Sequence, residues 1–396
     1  MDLQPIGSLP PLEKIPNKMY AQVIRSGYPG KFFLEIIDIP ELKDDEVLIG
    51  IKAAGVNYNN VWAAHGIPID VIKFLNKRGE KEDFHIGGSD ASGIVYKVGN
   101  SAKGVSIGEE VILHAGFWDK SDPWIKEGGD PILSSTCRAW GYETNYGSFA
   151  QFAIAKDHQC LPKPKHLSWE ESAVYMLSGA TAYRMLTHWK PNNIKSGEYV
   201  LIWGGSGGLG VMAIQIARSL GAIPIVVVND VEKIKFCKNL GAEEGLNRNN
   251  YSHWGVIDKD SIRGRSEWKK SYKKFESDLF EITNGSHPSI VIEHPGESTL
   301  PTSLQICKNG GMVVTCGGTS GYIGSFDLRH LWMFQKKIQG SHFASTEECN
   351  ELNNLVINKK INPVLSGIYE FGKIEECIGL MKNNLHPFGS MAIRIA

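Results

Sequence analysis

The sequence predicts an α/β protein made of a β-rich domain and a doubly wound parallel sheet, and three observations predict it. A chain of 396 residues is longer than one hydrophobic core usually grows, so two domains are expected. The N-terminal part holds short apolar runs separated by Gly, Pro and charged turns, the pattern of antiparallel strands. In mid-chain, Gly204-Gly-Ser-Gly-Gly-Leu-Gly210 lies between an apolar run (199–203) and a helix-like run (211–220), and strand and helix patterns alternate beyond it.

Residues 1 to about 20 carry Pro5, Pro10, Pro11 and Pro16, too many interruptions for a helix or a central strand, and read as an extended arm. Residues 20–24, 32–38 and 46–53 read as strands. Val56-Asn57-Tyr58-Asn59-Asn60-Val61-Trp62 follows, with a short helix at 62–64; amides so close together are costly to bury without partners. A polar segment (73–83) leads to Gly88-Ser-Asp-Ala-Ser-Gly93 and a strand at 110–114. Residues 117–138, rich in Asp, Pro and Gly and without period, read as a long surface lobe. The lobe ends in Ala139-Trp-Gly-Tyr142-Glu143-Thr-Asn-Tyr-Gly147, aromatics around one carboxylate, before a strand at 148–155.

Ser168-Trp-Glu-Glu171 is a capping pattern, which starts a helix running to residue 176; a second helical stretch covers 180–186. Past the glycine turn, strands at 223–228, 290–293, 311–316 and 338–340 alternate with helices at 232–240 and 300–307. Residues 249–278, charged and aromatic with no clear period, read as an insertion. Helix (346–358), strand (367–371), helix (374–382) and strand (390–395) complete the chain.

Lys+Arg 42 against Asp+Glu 43 leaves no global field that would favour nucleic acid or an anionic membrane. The 7 cysteines are scattered and never in C-x-x-C spacing, so they imply neither a disulfide framework nor a zinc knuckle. No apolar stretch approaches the roughly 18 residues of a membrane span, and Met1-Asp-Leu-Gln-Pro is no secretory signal. A soluble cytoplasmic protein is expected.

The glycine turn carries the strongest chemistry. Read from Gly205 it is G-x-G-x-x-G: Gly205 for the tight turn, Gly207 for close approach of backbone N–H groups to a pyrophosphate, Gly210 for packing of helix on strand. With strand before and helix after, it predicts a dinucleotide held by Gly204, Gly205, Ser206, Gly207, Gly208, Leu209 and Gly210. A carboxylate at the end of the next strand would bind an NAD ribose. Asn229 occupies that position and Lys233 lies one helical turn on, which favours NADPH; Asp230, one residue further, is the counter-evidence.

This order of parts resembles the medium-chain dehydrogenase/reductase superfamily over nearly the whole chain. Six stretches resemble its zinc-free crotonyl-CoA carboxylase/reductase (enoyl-CoA carboxylase/reductase) family: Val56-Asn-Tyr-Asn-Asn-Val-Trp62, Gly88-Ser-Asp-Ala-Ser-Gly93, Ala139-Trp-Gly-Tyr-Glu-Thr-Asn-Tyr-Gly147, Gly179-Ala-Thr-Ala-Tyr-Arg184, Ile292-Glu-His-Pro-Gly296 and Gly340-Ser-His342. The resemblance implies a GroES-like catalytic domain (1–180 and 341–396) around an NADPH-binding Rossmann domain (181–340), and a homo-oligomer, dimer or tetramer. Catalytic zinc needs about three N, S or O side-chain ligands. Where zinc alcohol dehydrogenases of this superfamily place Cys, His and Cys, this chain has Asn57, Ser89 and Leu177, and its lobe holds only Cys137, so no metal is expected.

Without a metal, hydride delivery suits a conjugated thioester, because the charge spreads onto the thioester oxygen as an enolate that hydrogen-bond donors stabilise. The enolate then takes a proton or carbon dioxide. The resemblance implies a carbon dioxide pocket made of an Asn amide, an aromatic followed by Glu, and a His: Asn59 or else Asn57, Tyr142 with Glu143, and His342. Tyr142 stands where the family usually has Phe. Arg184, Arg329 and the basic stretch 263–274 are candidates for the coenzyme A phosphates, and Glu293-His294 at a strand end has no assigned role. The expected function is NADPH-dependent reduction of crotonyl-CoA or acryloyl-CoA with carboxylation to an alkylmalonyl-CoA. The alternatives are plain enoyl-CoA reduction, a quinone or alkenal reductase of the same fold, and a non-enzymatic nucleotide-binding protein.

Overall fold

The computed structural model describes residues 3–255 and 262–396. Met1 and Asp2, where the absence of a secretory signal was read, and residues 256–261, in the middle of the 249–278 insertion, lie outside the described residues. Two compact units are formed, Met1–Ala180 with Phe343–Ala396, and Thr181–His342. The chain enters the second unit inside the helix Met176–Thr187 and leaves it after His342 rather than at Gly340, where the strand ends.

The first unit is built on Glu46–Val56, a strand buried along its length apart from Lys52, which pairs antiparallel with Ala91–Val98, Phe152–Lys156 and Ser390–Arg394. Glu110–Leu113, Cys160–Pro162 and Leu365–Glu370 extend this seven-stranded sheet, and Phe33–Asp38, Lys18–Arg25 and Phe84–His85 form a second, three-stranded one. Their inward faces, Ile49, Ile51, Val95, Leu113, Phe152 and Ile393 among them, close one core together with Phe149. The strand expected over 148–155 joins the seven-stranded sheet only from Phe152, and before that Ala150 bridges Ala21 of the three-stranded one. The N–H groups of Ser148 and Phe149 are taken instead by the carbonyls of Gly88 and Gly87, which turns the chain away from the sheet. The polar segment after residue 73 shares a helix, Val71–Asn76, whose first turn is capped by the Asp70 carboxylate and which buries Val71, Ile72 and Leu75. At Ser168 the capping box forms as read, but its helix stops at Ser172 and a new one begins at Met176.

The second unit is a parallel sheet of β1 (Tyr199–Trp203), β2 (Ile223–Val228), β3 (Glu244–Asn247), β4 (Ile290–Glu293), β5 (Met312–Thr315) and β6 (Lys337–Gly340), in the order 3-2-1-4-5-6. That order puts the switch in strand direction of travel at β1, and ligands of such sheets bind at the strand ends there. The described part of residues 249–278 does not stand apart as an insertion. The helix Ile262–Thr283 buries Trp268, Tyr272, Phe275 and Leu279, a three-and-four spacing, against Trp203, Val291 and Leu304 of the sheet and its neighbour helix. Phe275 is fully buried and its ring lies parallel to that of Trp203 with centroids 6.3 Å apart. Among the described residues no helix is long and apolar enough to cross a membrane.

Candidate active site

In the second unit the chain leaves β1 and turns at Gly204, whose φ of 65° is left-handed. This corrects the reading that gave the tight turn to Gly205. A side chain at Gly204 would meet the His294 ring at 2.6 Å, whereas Gly205 lies against Val226 and Cys237. Gly207 is the N-cap of the helix Gly208–Ser219, and its carbonyl takes the Val211 N–H at 2.9 Å. The N–H groups of Gly208, Leu209 and Gly210 therefore have no acceptor within the helix, and with the positive end of the helix dipole they suit a pyrophosphate. Gly210 works as expected: a Cβ there would lie 2.4 Å from the Gly204 carbonyl oxygen, so helix and turn touch backbone to backbone.

Glu293 and His294 support this turn. His294 Nε2 is 3.0 Å from the Trp203 carbonyl oxygen, so it carries the proton and donates. Desolvation keeps the ring neutral by lowering its pKa to about 4. Glu293 is fully buried and accepts from the hydroxyls of Thr299 and Ser303 and the Gly296 N–H, while burial pushes its carboxyl up to about 7. Ser303 Oγ in turn accepts from the Trp203 indole at 2.8 Å. The network ties the ends of β1 and β4 together, a bracing role that the sequence left open.

Asn229 follows β2 directly, and Lys233 Nζ donates to its Oδ1 at 2.9 Å. The neighbouring carboxylate is otherwise engaged: Asp230 is the N-cap of the helix Val231–Asn239 and accepts from the Glu232 N–H at 2.7 Å. The strand end thus offers an amide and a lysine to a ribose substituent, a donor set that fits a 2′-phosphate. His342 also belongs to this unit. It is exposed, beyond the end of β6, where the Ser341 N–H is tied to the Thr315 carbonyl at 2.8 Å.

Of the candidates for coenzyme A phosphates, Arg184 is removed by burial: it is 1% exposed and its guanidinium lies over the Trp189 ring. Arg329 is held by both oxygens of Asp327. In the basic stretch Arg263 and Lys274 pair with Glu267 and Asp278 on their own helix, and Lys269, Lys270 and Lys273 are exposed.

In the first unit, Glu46–Val56 hands over to Asn57, the N-cap of the helix Tyr58–His65, which starts earlier than the 62–64 turn read from sequence. The Asn57 N–H donates to Asn60 Oδ1 at 2.8 Å, and the Asn57 amide nitrogen lies 3.4 Å from Asp90 Oδ2. Asn59 Nδ2 donates to Ser89 Oγ at 2.7 Å, while its Oδ1 is buried without a hydrogen-bond partner. An orphaned acceptor of this kind costs about 1–3 kcal/mol.

Tyr142 and Glu143 are half-buried on the loop that closes over this region. The loop is fixed at both ends. Trp140 is buried and donates its indole N–H to the Ile154 carbonyl, and Asn145 Oδ1 accepts the Ile86 N–H. Between them Gly141, at φ 68°, crosses Gly88 so closely that a Cβ would sit 2.0 Å from its carbonyl oxygen. Glu143 Oε2 accepts the Ala139 N–H at 2.8 Å. The structure thus brings Asn57, Asn59, Tyr142 and Glu143 into one unit, on segments that meet at Gly88-Ser89-Asp90, and sets His342, Asn229, Lys233 and the glycine turn in the other.

In the sequence Ser89 stands only at a zinc-ligand position and within a family-like stretch, and Asp90 only within that stretch. Both are buried, and Asp90 accepts the Leu177 N–H at 3.1 Å as well as facing Asn57; desolvation raises its carboxyl to about 8. The three positions where zinc enzymes of this fold carry ligands are therefore engaged otherwise. Leu177 offers no donor atom, and the Asn57 and Ser89 side chains lie in this hydrogen-bond network, so the donor set does not fit zinc. Among the described residues no group of three or more His, Cys, Asp or Glu could hold a metal ion.

Residues 43–165 match the model of the alcohol dehydrogenase GroES-like domain, and residues 208–358 that of zinc-binding dehydrogenases. A crotonyl-CoA carboxylase/reductase of Cereibacter sphaeroides is 43% identical over 399 residues, covering 100% of this chain and 91% of its own. A crotonyl-CoA reductase of Streptomyces collinus is 38% identical, covering 89% and 79%. Among solved structures, the crotonyl-CoA carboxylase/reductase AntE in complex with NADP superposes with a TM-score of 0.95 at 46% identity, covering 100% of this chain and 98% of that one. The 2-octenoyl-CoA carboxylase reductase CinF, with NADP and 2-octenoyl-CoA, gives 0.88 at 35% identity, covering 96% and 88%.

Proposed function

Because the chain belongs to the crotonyl-CoA carboxylase/reductase family, in the medium-chain dehydrogenase/reductase superfamily, we propose that it uses NADPH to reduce a short-chain 2-enoyl-CoA and carboxylates the resulting enolate with carbon dioxide. The product is an alkylmalonyl-CoA, with crotonyl-CoA or acryloyl-CoA as substrate. The observation that carries this reading is the end-to-end match to a carboxylase/reductase, 43% identical over the whole chain.

NADPH, when bound, supplies the hydride for the β-carbon. The chain's own residues do the rest. The free N–H groups of Gly208, Leu209 and Gly210 hold the pyrophosphate, with Gly204, Gly205, Ser206 and Gly207 shaping the turn, and Asn229 and Lys233 take the 2′-phosphate. Asn59 Nδ2 has a second N–H besides the one given to Ser89, and it donates to one oxygen of carbon dioxide. Glu143 uses Oε2 to close its own loop, which leaves Oε1 for carbon dioxide, directly or through a water; His342 is assigned to the same reaction step on the family pattern. Tyr142 covers the enolate against water, which would otherwise protonate it. Asn57 braces the helix start rather than touching substrate. On this reading residues 1–180 and 343–396 form the catalytic domain and 181–342 the cofactor domain, and the enzyme works in the cytoplasm as a homo-oligomer.

The Tyr142 hydroxyl favours one second reading, a plain enoyl-CoA reductase, because it can order a water beside the enolate. Product analysis separates the two. With saturating bicarbonate and carbonic anhydrase, the proposal expects alkylmalonyl-CoA as the main product and saturated acyl-CoA as the minor one. His342→Asn is expected to lower the carboxylated share much more than NADPH oxidation. A wild-type enzyme that makes only saturated acyl-CoA refutes the carboxylase reading.

A further inference from the structure

Ser89 and Asp90 are adjacent, 0% and 1% exposed, and neither fills a place in the apolar core. Their side chains engage the same helix start from two sides. Ser89 Oγ accepts from Asn59 Nδ2 at 2.7 Å. The Asp90 carboxylate faces the Asn57 amide at 3.4 Å and takes the Leu177 N–H at 3.1 Å, and its backbone carbonyl takes the Gly55 N–H and the Ser148 hydroxyl, both at 3.0 Å. One residue thus joins the end of the central strand, the helix Tyr58–His65, the helix Met176–Thr187 and the segment after the Tyr142-Glu143 loop. Asn59 is held by its nitrogen alone, its buried Oδ1 having no partner, so Ser89 decides which edge of that amide is presented. Burying a polar carboxyl group for packing alone is unfavourable, and a leucine would serve a purely structural joint better.

We propose that Ser89 and Asp90 are positioning residues for carboxylation: they fix the first turn of the helix Tyr58–His65 and the orientation of its Asn59 amide, and thereby set what share of the enolate receives carbon dioxide instead of a proton. The proposal rests on the reading of Asn59 as the amide that meets carbon dioxide.

The test is a mutant cycle on the full-length enzyme, with Asn59→Ala, Ser89→Ala, Asp90→Asn and the two doubles that combine Asn59→Ala with each of the others. The readout is the ratio of alkylmalonyl-CoA to saturated acyl-CoA at saturating bicarbonate, with NADPH oxidation and thermal unfolding measured on the same samples. Ser89→Ala removes one hydroxyl and Asp90→Asn keeps the volume, so both are mild changes. Each is expected to lower the ratio about tenfold, as losing one orienting hydrogen bond does, with NADPH oxidation within about twofold of wild type. In the Asn59→Ala background neither should lower it further, because groups that act through one another are not additive. If Asn59→Ala lowers the ratio while Ser89→Ala and Asp90→Asn leave it at the wild-type value, the positioning role is overturned and the reading of Asn59 stands. A further fall in the doubles also overturns it. If Asn59→Ala itself leaves the ratio unchanged, the reading of Asn59 fails and the positioning role with it.

Discussion

Asn229→Asp puts a carboxylate at the end of β2 and tests how the cofactor is chosen. In the wild type, Lys233 Nζ is already 2.9 Å from Asn229 Oδ1, and Asp230 is committed to capping the next helix. The substitution has two effects of the same sign. The lysine is drawn onto the new carboxylate, which removes a charge-assisted bond to the 2′-phosphate worth about 1.5–3 kcal/mol. The carboxylate also repels that phosphate, by about 3–4 kcal/mol for unit charges roughly 4–5 Å apart at an effective dielectric near 20. The lysine caught between them and the salt of the assay offset part of this, leaving about 2–3 kcal/mol, or about 30- to 150-fold in kcat/KM for NADPH. NADH has no phosphate there and is expected to change by less than about threefold, or to improve as the carboxylate accepts from its ribose hydroxyls. The assay is kcat/KM for both cofactors at fixed crotonyl-CoA and at two ionic strengths, with the NADPH penalty smaller at the higher one. An equal loss for both cofactors, or no loss for NADPH, would refute the assignment of Asn229 and Lys233.

Three other outcomes are expected. Gly210→Ala forces a Cβ to within 2.4 Å of the Gly204 carbonyl oxygen and pushes the helix off the turn; at about 1–3 kcal/mol for such overpacking, NADPH affinity should drop roughly 5- to 150-fold by fluorescence titration, and unchanged affinity would mean that the turn is not the pyrophosphate site. Phe275→Ala empties a fully buried position beside Trp203 and should destabilise the cofactor unit by about 3–5 kcal/mol in urea unfolding followed by tryptophan fluorescence; a loss under about 1 kcal/mol would show that the helix Ile262–Thr283 does not close this core. Glu293 has its carboxyl raised from 4.5 to about 7, so the folded state keeps a proton that the unfolded chain releases: the stability this contributes is full below pH 4.5, declines as the pH rises to 7, and amounts to something on the order of 3 kcal/mol. Glu293→Gln should flatten that part of the pH dependence relative to wild type, and identical slopes would count against it.

Local patterns showed most of the parallel sheet and little of what surrounds the site. β2 and β4 are mostly β-branched, with Pro224 and Glu293 the exceptions, and the turn after β1 is punctuated by glycine, so their positions were legible. The helix Ile262–Thr283 was not, because its buried stripe is made of Trp268, Tyr272 and Phe275 between lysines, and only Leu279 looks like an ordinary core residue. Nor can a run of glycines say which one takes the left-handed turn, or that His294, distant in sequence, would lie against a side chain there. The edge strand β3 is short and partly polar, and its signal is weak for that reason. In the candidate site, the family resemblance pointed to Asn59, Tyr142 and Glu143, but the partner that holds Asn59, Ser89, follows the crossing of Gly141 over Gly88, a contact between segments with no shared periodicity.

The same contact bears on why a fold associated with zinc dehydrogenases would do this chemistry. A zinc ion in that position polarises an isolated carbonyl, and it requires three ligands presented toward one point. Here Leu177 contributes a backbone N–H, Asn57 a side-chain amide and Ser89 a hydroxyl, and the first two converge on Asp90 while the third holds Asn59. These groups serve the protein's own hydrogen bonds and supply no doubly charged ion for a localised alkoxide, an ion that a substrate spreading its charge over a conjugated thioester does not need. Two results are therefore expected together. Dialysis against a strong chelator should leave crotonyl-CoA turnover within about 20% of the untreated enzyme, the scatter of such an assay, because removal of a catalytic zinc would cost several kcal/mol of transition-state stabilisation. A simple saturated ketone or aldehyde of similar size should show no turnover with NADPH above background. Loss of activity on chelation, restored by zinc, would refute the argument from the donor set, and ready reduction of an unconjugated carbonyl would refute the argument from charge delocalisation.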